Sequence, residues 1–335
     1  MRSVAIVNQK GGCGKTTTAI NLAATLAAKN RRTLLVDMDP QGHCGIGLGV
    51  PEDRIEHGLA EALLSDPPGG ADPDAMLWEV AKNLRLAPST LSLAGLEAAR
   101  GGLAHLPDRD ARLSQFLDRV ANRFDWCVID CPPTIGLLTF NALRAADEAI
   151  IPVETGFFSL KGSERQAAAI QAMSARLERE LPLRILPTLH RPSAKLATDL
   201  LAAIERRHGM LTMPLVIREH ESLREAAGFG QPITEYAPGS EACRDFVLLV
   251  DWLEANPVVC TRKKLNSATA ARGELVLEDA APANTAATSG ERMADLLARI
   301  RQQAAAPIAV EISSSIAPNI ESPVSGVSGV SGELP

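Results

Sequence analysis

Residues 4–17 read VAIVNQKGGCGKTT. An apolar run, Val4 to Val7, passes into a glycine-rich loop that ends in Gly14-Lys15-Thr16 and opens an Ala/Leu-rich stretch reaching Lys29. Strand, glycine-rich loop, Lys-Thr and helix, in that order, are what a phosphate-gripping P-loop requires. Several backbone N–H groups must approach one anion there, and side chains would block them, so Gly11, Gly12 and Gly14 fit the loop. The N-terminus of the following helix adds unpaired N–H groups and a favourable dipole. On this reading Gly11, Gly12, Cys13, Gly14, Lys15, Thr16 and Thr17 bind a nucleotide. Lys15 reaches the β- and γ-phosphates, and the Thr16 hydroxyl ligates Mg²⁺. One position departs from the ordinary pattern: Gln9 stands where a first glycine belongs, and a second lysine, Lys10, follows it.

Two acidic segments lie further on. Residues 33–42 read TLLVDMDPQG, an apolar run ending in Asp37 with Asp39 two residues later. On a continuous strand these two side chains point to one side. Residues 126–133 read WCVIDCPP, another apolar run that ends in an acid, Asp130. Open parallel sheets bind ligands at the carboxyl ends of their strands. Acids at strand ends beside a P-loop suit Mg²⁺ and a water nucleophile, which makes Thr16, Asp37 and Asp130 the candidate metal residues. Each Asp taken singly is equally well a cap or turn residue; the arrangement carries the argument.

Strand-like runs near 3–8, 33–37, 84–87, 126–130, 148–153, 183–188 and 213–217 alternate with helical stretches near 15–29, 110–123, 136–146, 162–180, 195–208 and 239–254. That alternation predicts an α/β fold: a doubly wound, mostly parallel sheet with helices on both faces. Residues 66–74, DPPGGADPD, read as a surface loop. The character changes at Asn256-Pro257, which sets a domain at 1–255 and a tail at 256–335 rich in Ala, Ser, Pro, Thr and Gly. Such a composition predicts disorder. Within the tail, Met293, Leu296, Leu297 and Ile300 share one helical face, so 291–303 reads as a short helix, transient or partner-docking, with a membrane-surface role disfavoured by the lack of aromatic anchors and the few basic residues, Arg292, Arg299 and Arg301.

These segments resemble the ParA/MinD family of deviant P-loop ATPases, and within it the ParA-type partition ATPases. The resemblance rests on NQKGGCGKTTTAINLA (8–23), LLVDMDPQG (34–42), LRLAPSTLSLAGLE (84–97), DWCVIDCPPTIGLLTFNAL (125–143), AIIPVET (149–155) and FGQPI (229–233), and covers about residues 1–255. It implies a Mg²⁺-dependent ATPase that forms an ATP-sandwich homodimer, with Lys10, Lys15 and Asp39 as catalytic residues. Lys10 resembles the signature lysine that crosses to the partner's nucleotide. Asp39 resembles the acid that orients the attacking water, and Asp130 the acid behind the Mg²⁺ shell, with Asp37 in support. Asn141 resembles an asparagine near the dimer face, and Pro132 and Pro133 would shape a switch segment. A ParB-like protein or cargo adaptor would stimulate hydrolysis.

The resemblance also implies non-specific DNA as a partner, and here the sequence argues back. The chain carries 34 Lys+Arg against 40 Asp+Glu, a formal charge of −6, so it has no global basic signature. Where relatives carry arginines in a form like PRNVRLSEAPS, this chain reads IREHESLREAAGFG, placing Glu219 and Ser222 at those positions and Ser193 at a third. Arg191, Lys195, Arg206, Arg207, Arg218 and Arg224 are the neighbours that could substitute as phosphate contacts. Two readings stay open: partition of chromosome or plasmid DNA, or positioning of a protein or membrane-associated cargo without DNA. An amide-forming enzyme of related fold is a third. The absence of a leader segment, of an apolar run near ~18 residues and of paired cysteine motifs points to a cytoplasmic, or nucleoid-associated, protein. Cys127 and Cys131 read as small buried residues rather than metal ligands.

Overall fold

The computed structural model describes residues 1–70, 72–97, 102–156, 159–177 and 180–258. The tail at 256–335 and its helix at 291–303 lie outside the described residues beyond Val258.

The chain runs β1 (Arg2–Ile6), α1 (Lys15–Ala28), β2 (Thr33–Asp37), α2 (His43–Gly47), α3 (Leu59–Leu64), β3 (Trp78–Ala81), β4 (Leu84–Ala87), α4 (Arg112–Val120), β5 (Trp126–Asp130), α5 (Leu137–Ala145), β6 (Glu148–Glu154), α6 (Ser159–Arg176), β7 (Leu183–Thr188), α7 (Lys195–His208), α8 (Glu221–Gly228), α9 (Ile233–Tyr236) and α10 (Glu241–Ala255). Seven strands form one sheet in the order β3-β4-β2-β5-β1-β6-β7, with every pair parallel except β3–β4. The expected doubly wound α/β architecture is therefore present.

Parallel strands covered on both faces must be apolar on both faces. β2 is buried along its whole length, and its side chains divide by the two-residue period: Leu34 and Val36 join one core, Leu35 the other. The first core includes Leu113, Phe116, Leu138 and Ile170 from α4, α5 and α6. The second includes Leu22 and Leu26 of α1 with Phe246 and Leu249 of α10.

Two elements differ from expectation. β3 was not anticipated: residues 78–81 fold back on β4 as an antiparallel hairpin through Lys82 and Asn83, with Asn83 at φ +63°. Asparagine tolerates that left-handed conformation at a hairpin turn. Conversely, the run 213–217 is not a strand. It lies beside β7 and bonds to it through Met213 N–H to Ile185 O (2.9 Å) and Ile217 N–H to Pro187 O (2.9 Å). Pro214 interrupts it and has no N–H to add to a ladder.

The register sets up the site. Ile6 pairs with Asp130 across β1–β5, and Asp130 pairs with Asp37 across β5–β2. The loop after β1 and both acids thus meet at the carboxyl edge of three adjacent central strands, where this topology places ligands.

Candidate functional site at the carboxyl edge of the sheet

The phosphate-loop segment Gln9–Gly14 leaves β1 and turns into α1. Gly12 sits at φ +72° and Gly14 at φ +88°, conformations that side chains oppose. A Cβ built on Gly11, Gly12 or Gly14 would meet nothing within 4 Å, so the loop encloses open space. α1 starts from Gly14 with no side-chain cap, which leaves its first N–H groups directed at that space. Other parts of the chain fix the loop's shape. Asn8 Oδ1 accepts from Lys10 N–H (3.0 Å), Gln166 Oε1 accepts from Gln9 N–H (3.0 Å), and the Thr188 hydroxyl donates to Cys13 O (2.8 Å). Cys13 itself is fully buried, so the loop presents its backbone rather than its thiol.

Lys15 is buried and its ammonium donates back to Lys10 O at 3.1 Å, across the loop. Lys10 is exposed, and its ammonium pairs with Glu154 at the end of β6. The two lysines therefore differ: one is folded over the cradle, the other is drawn to the side of β1 opposite Asp130.

The acids are buried. The Thr16 hydroxyl donates to Asp130 Oδ2 at 2.7 Å, while Asp130 Oδ1 is buried with no hydrogen-bond partner. Burial pushes the Asp130 carboxyl up to about 7, against the opposing pull of the Thr16 hydrogen bond. Asp37 is equally buried; its carboxylate accepts from Asp39 N–H and Cys44 N–H, each at 3.0 Å. Desolvation and the neighbouring Asp130 charge raise Asp37 well above the carboxylate range. Asp39 lies past the end of β2, so strand alternation does not place it; a turn does, through Asp37 Oδ1 and its own contact with Gln41 N–H (3.0 Å). An orphaned buried carboxylate oxygen beside a threonine hydroxyl, under an open glycine cradle, fits a hard divalent cation with a phosphate ligand.

Several residues here carried no sequence signal. Cys44 approaches Asp130 Oδ2 through its Sγ at 3.5 Å. A cleft of about 210 Å³ opens beside Thr16 and Thr17 and is lined also by Asn21, His43, Leu223 and Gln231. Glu154, Gln166 and Thr188 act from distant strands and helices, which spacing cannot reveal. Asn141 is fully buried: its amide donates to Arg109 O and Leu137 O and accepts from Leu113 N–H, tying α5 to α4. Pro132 is buried and Pro133 exposed.

The basic residues considered for a phosphate-contacting patch are largely occupied. Arg191 and Arg224 both pair with Glu219, Arg218 pairs with Asp245 and Glu241, and Arg207 with Glu164. The two arginines hold Glu219 well below the usual carboxylate range, at about 2. Among the described residues, no helix is long and apolar enough to cross a membrane.

Comparison with known proteins agrees with this geometry. A family model described as an AAA domain matches residues 1–183. The chain is 38% identical over 249 residues to a chromosome partitioning protein ParA of Myxococcus xanthus, covering 74% of this chain and 86% of that one. It is 34% identical over 255 residues to the sporulation initiation inhibitor protein Soj of Bacillus subtilis, covering 76% and 98%. Among solved structures, a cobyrinic acid a,c-diamide synthase from Mycobacterium smegmatis, with bound ATP analogue and magnesium, aligns with TM-score 0.66 and 29% identity over 76% of this chain and 94% of that one. With the phosphate loop, its extra lysine and the paired acids in place, the chain belongs to the ParA/MinD family of deviant P-loop ATPases.

Proposed function

We propose that this chain is a Mg²⁺-dependent ATPase that switches between a monomer and an ATP-bound homodimer to partition chromosome or plasmid DNA, with hydrolysis stimulated by a ParB-like protein. The observation that carries the reading is the unpartnered, buried Asp130 Oδ1 beside the Thr16 hydroxyl, directly below an open glycine cradle. Thr16 and Asp130 would hold the metal, Thr16 directly and Asp130 behind its shell, with Asp37 supporting the turn that carries Asp39. Bound there, Mg²⁺ would neutralise charge on the phosphate oxygens. The neighbour that binds an ATP analogue with magnesium supports this choice of ligand.

The chain's own residues do the remainder. The backbone N–H groups of Gly11 to Thr17 cradle phosphate oxygens, and Lys15 leaves Lys10 O to reach them. Asp39 orients the attacking water. Lys10 leaves Glu154 and crosses to the partner's nucleotide, so that nucleotide state biases a monomer–dimer equilibrium. The dimer then displays a surface that the monomer lacks, and it collects where that surface is bound, on the nucleoid if the cargo is DNA. Replacing Asp39 by Ala is the direct test: ATP turnover should fall by about 10²–10⁴-fold, the usual worth of a positioned acid or base. Light scattering should then find an ATP dimer that persists. Normal turnover in that variant sinks the assignment of Asp39.

A second reading, positioning of a protein or membrane-associated cargo without DNA, draws support from the Arg191–Glu219–Arg224 cluster, where guanidinium groups are neutralised within the chain. A gel shift with plasmid DNA, ATP and Mg²⁺ at low salt separates the two: no ATP-dependent retardation leaves the cargo reading.

A further inference from the structure

We propose that Thr188, at the carboxyl end of β7, is a positioning residue for the phosphate site: its hydroxyl fixes the direction in which the Gly14 N–H of the loop meets a phosphate oxygen. The inference rests on the reading that a nucleotide binds at this loop, and it gives a role to a residue that the switch cycle leaves out.

Cys13, at the top of the loop, is held at two points. Its thiol donates to Lys10 O at 3.2 Å, and its carbonyl accepts from the Thr188 hydroxyl at 2.8 Å. Gly12 and Gly14 on either side take the left-handed conformations, so the chain reverses at the glycines while Cys13 stays fixed between them. The Cys13 carbonyl and the Gly14 N–H belong to one trans peptide unit, in which the two groups point in opposite directions. The Thr188 bond therefore draws the carbonyl towards β7 and turns the Gly14 N–H away from it. Gly14 is the cap of α1, and a Cβ built on it would meet nothing within 4 Å. Its N–H thus stands in open space beside the donors that a helix start offers to an anion.

Thr188 is itself firmly seated. It is buried and pairs with Glu154 across β6–β7, and its carbonyl accepts from Thr155 N–H at 3.1 Å. The next residue, Leu189, sits at φ +49°, a left-handed conformation that a leucine adopts only under constraint. That reversal returns His190 to the sheet, where its ring shares a hydrogen bond with the Thr155 hydroxyl (3.3 Å) and its N–H donates to Ile217 O (3.2 Å). Thr155 and His190 are both buried. Strain of this kind persists only where neighbouring bonds over-determine it, and it gathers at functional sites. Here it accompanies the one side chain of β7 that reaches the phosphate loop with a hydrogen bond.

The test is calorimetric titration of the full-length protein with a non-hydrolysable ATP analogue and Mg²⁺. T188V, nearly the same shape without the donor, should bind about ten-fold more weakly than the wild type, the lower end of what one hydrogen bond to a charged group is worth. T188S keeps the hydroxyl and should restore the affinity. Amide NMR gives a readout that a merely structural role would not move: on binding, the Gly14 N–H resonance should shift downfield in the wild type and T188S, and shift less in T188V. Unchanged affinity in folded T188V, an equal loss in T188S, or a Gly14 resonance that stays still in the wild type overturns the proposal. Should T188V fail to fold by circular dichroism, T188C decides, its thiol being a weaker donor: a partial loss of affinity supports the proposal, and none overturns it. A wild type that does not bind the analogue sinks the nucleotide reading as well, whereas a binding wild type beside a normal T188V sinks the Thr188 assignment alone.

Discussion

The two edges of the central sheet treat buried charge in opposite ways. At the amino edge, Glu148 is fully buried, and both its oxygens are taken by guanidinium groups: Oε1 by Arg2 and Oε2 by Arg184. Arg2 stacks on Trp126 and Arg184 on Trp252, each with its guanidinium carbon 4.5 Å from the ring centre. Nearby, Asp147 Oδ2 accepts from both the backbone and the hydroxyl of Ser3. At the carboxyl edge, Asp37 and Asp130 lie side by side with no arginine between them, and one oxygen is orphaned. One edge is electrostatically closed and holds β1, β6 and β7 together. The other is left wanting a cation, which costs the free chain stability and reserves the place for a ligand.

The comparison can be broken in several ways. Removing the fully buried Glu148 (E148A) takes the shared carboxylate from two half-buried arginines and should cost roughly 3–5 kcal/mol. At about 2–4 °C per kcal/mol, calorimetry should find the melting temperature about 6–20 °C lower. A variant that melts like the wild type would show the amino edge to be ornamental. K15A should do the reverse: little change in melting, but a loss of roughly 2–5 kcal/mol in nucleotide affinity, about 30- to 5,000-fold, read by calorimetric titration with a non-hydrolysable ATP analogue.

A smaller effect follows from Asp130. Its carboxyl ionises near 4 when unfolded and is pushed up to about 7 when folded, so the native chain holds an extra proton between those values. The stability that this proton represents is complete below about pH 4 and is lost as pH rises through about 7. Melting in EDTA should therefore fall from pH 5 to pH 8, and D130N should flatten the slope. A slope unchanged in D130N would move the titration to another group. Smallest is the Glu219 cluster. E219Q frees Arg191 and leaves Arg224 to Glu221, which should steepen the salt dependence of DNA retention by about one phosphate contact and strengthen retention roughly three-fold at low salt. Because Glu219 ionises near 2, lowering pH from 8 to 4 should not mimic the substitution.

What the sequence made legible follows the same division. The phosphate loop could be read because it is a backbone device: glycines, a lysine and a helix start must occur consecutively, so the chemistry is local. Asp37 and Asp130 could be read because each ends an apolar strand. Cys44 could not, since nothing in a cysteine two residues after Gly42 announces that a turn returns it to two strand ends. The hydrogen bonds of Asn141 were hidden for a related reason: its partners on α4 and the segment before it, Leu113 and Arg109, come near only once α4 packs on α5. The run at 213–217 looked like a strand by composition, and Pro214 undid it. The arginine clusters sat between these cases. Their positions were readable, but their pairing depends on acids from other elements, such as Glu164 and Asp245, that only the fold brings near.

The way the sheet ends on its two flanks has a bearing on crowding. On one flank the outermost strand is the short, bulged, antiparallel β3; on the other the Thr212–Arg218 segment lies along β7 and makes bridges at Thr212 and Arg218 only. Neither flank offers a long row of free backbone groups to another molecule. Contact between copies along the sheet edge is thereby disfavoured, and an assembly of this chain would be built from loops and helix faces instead.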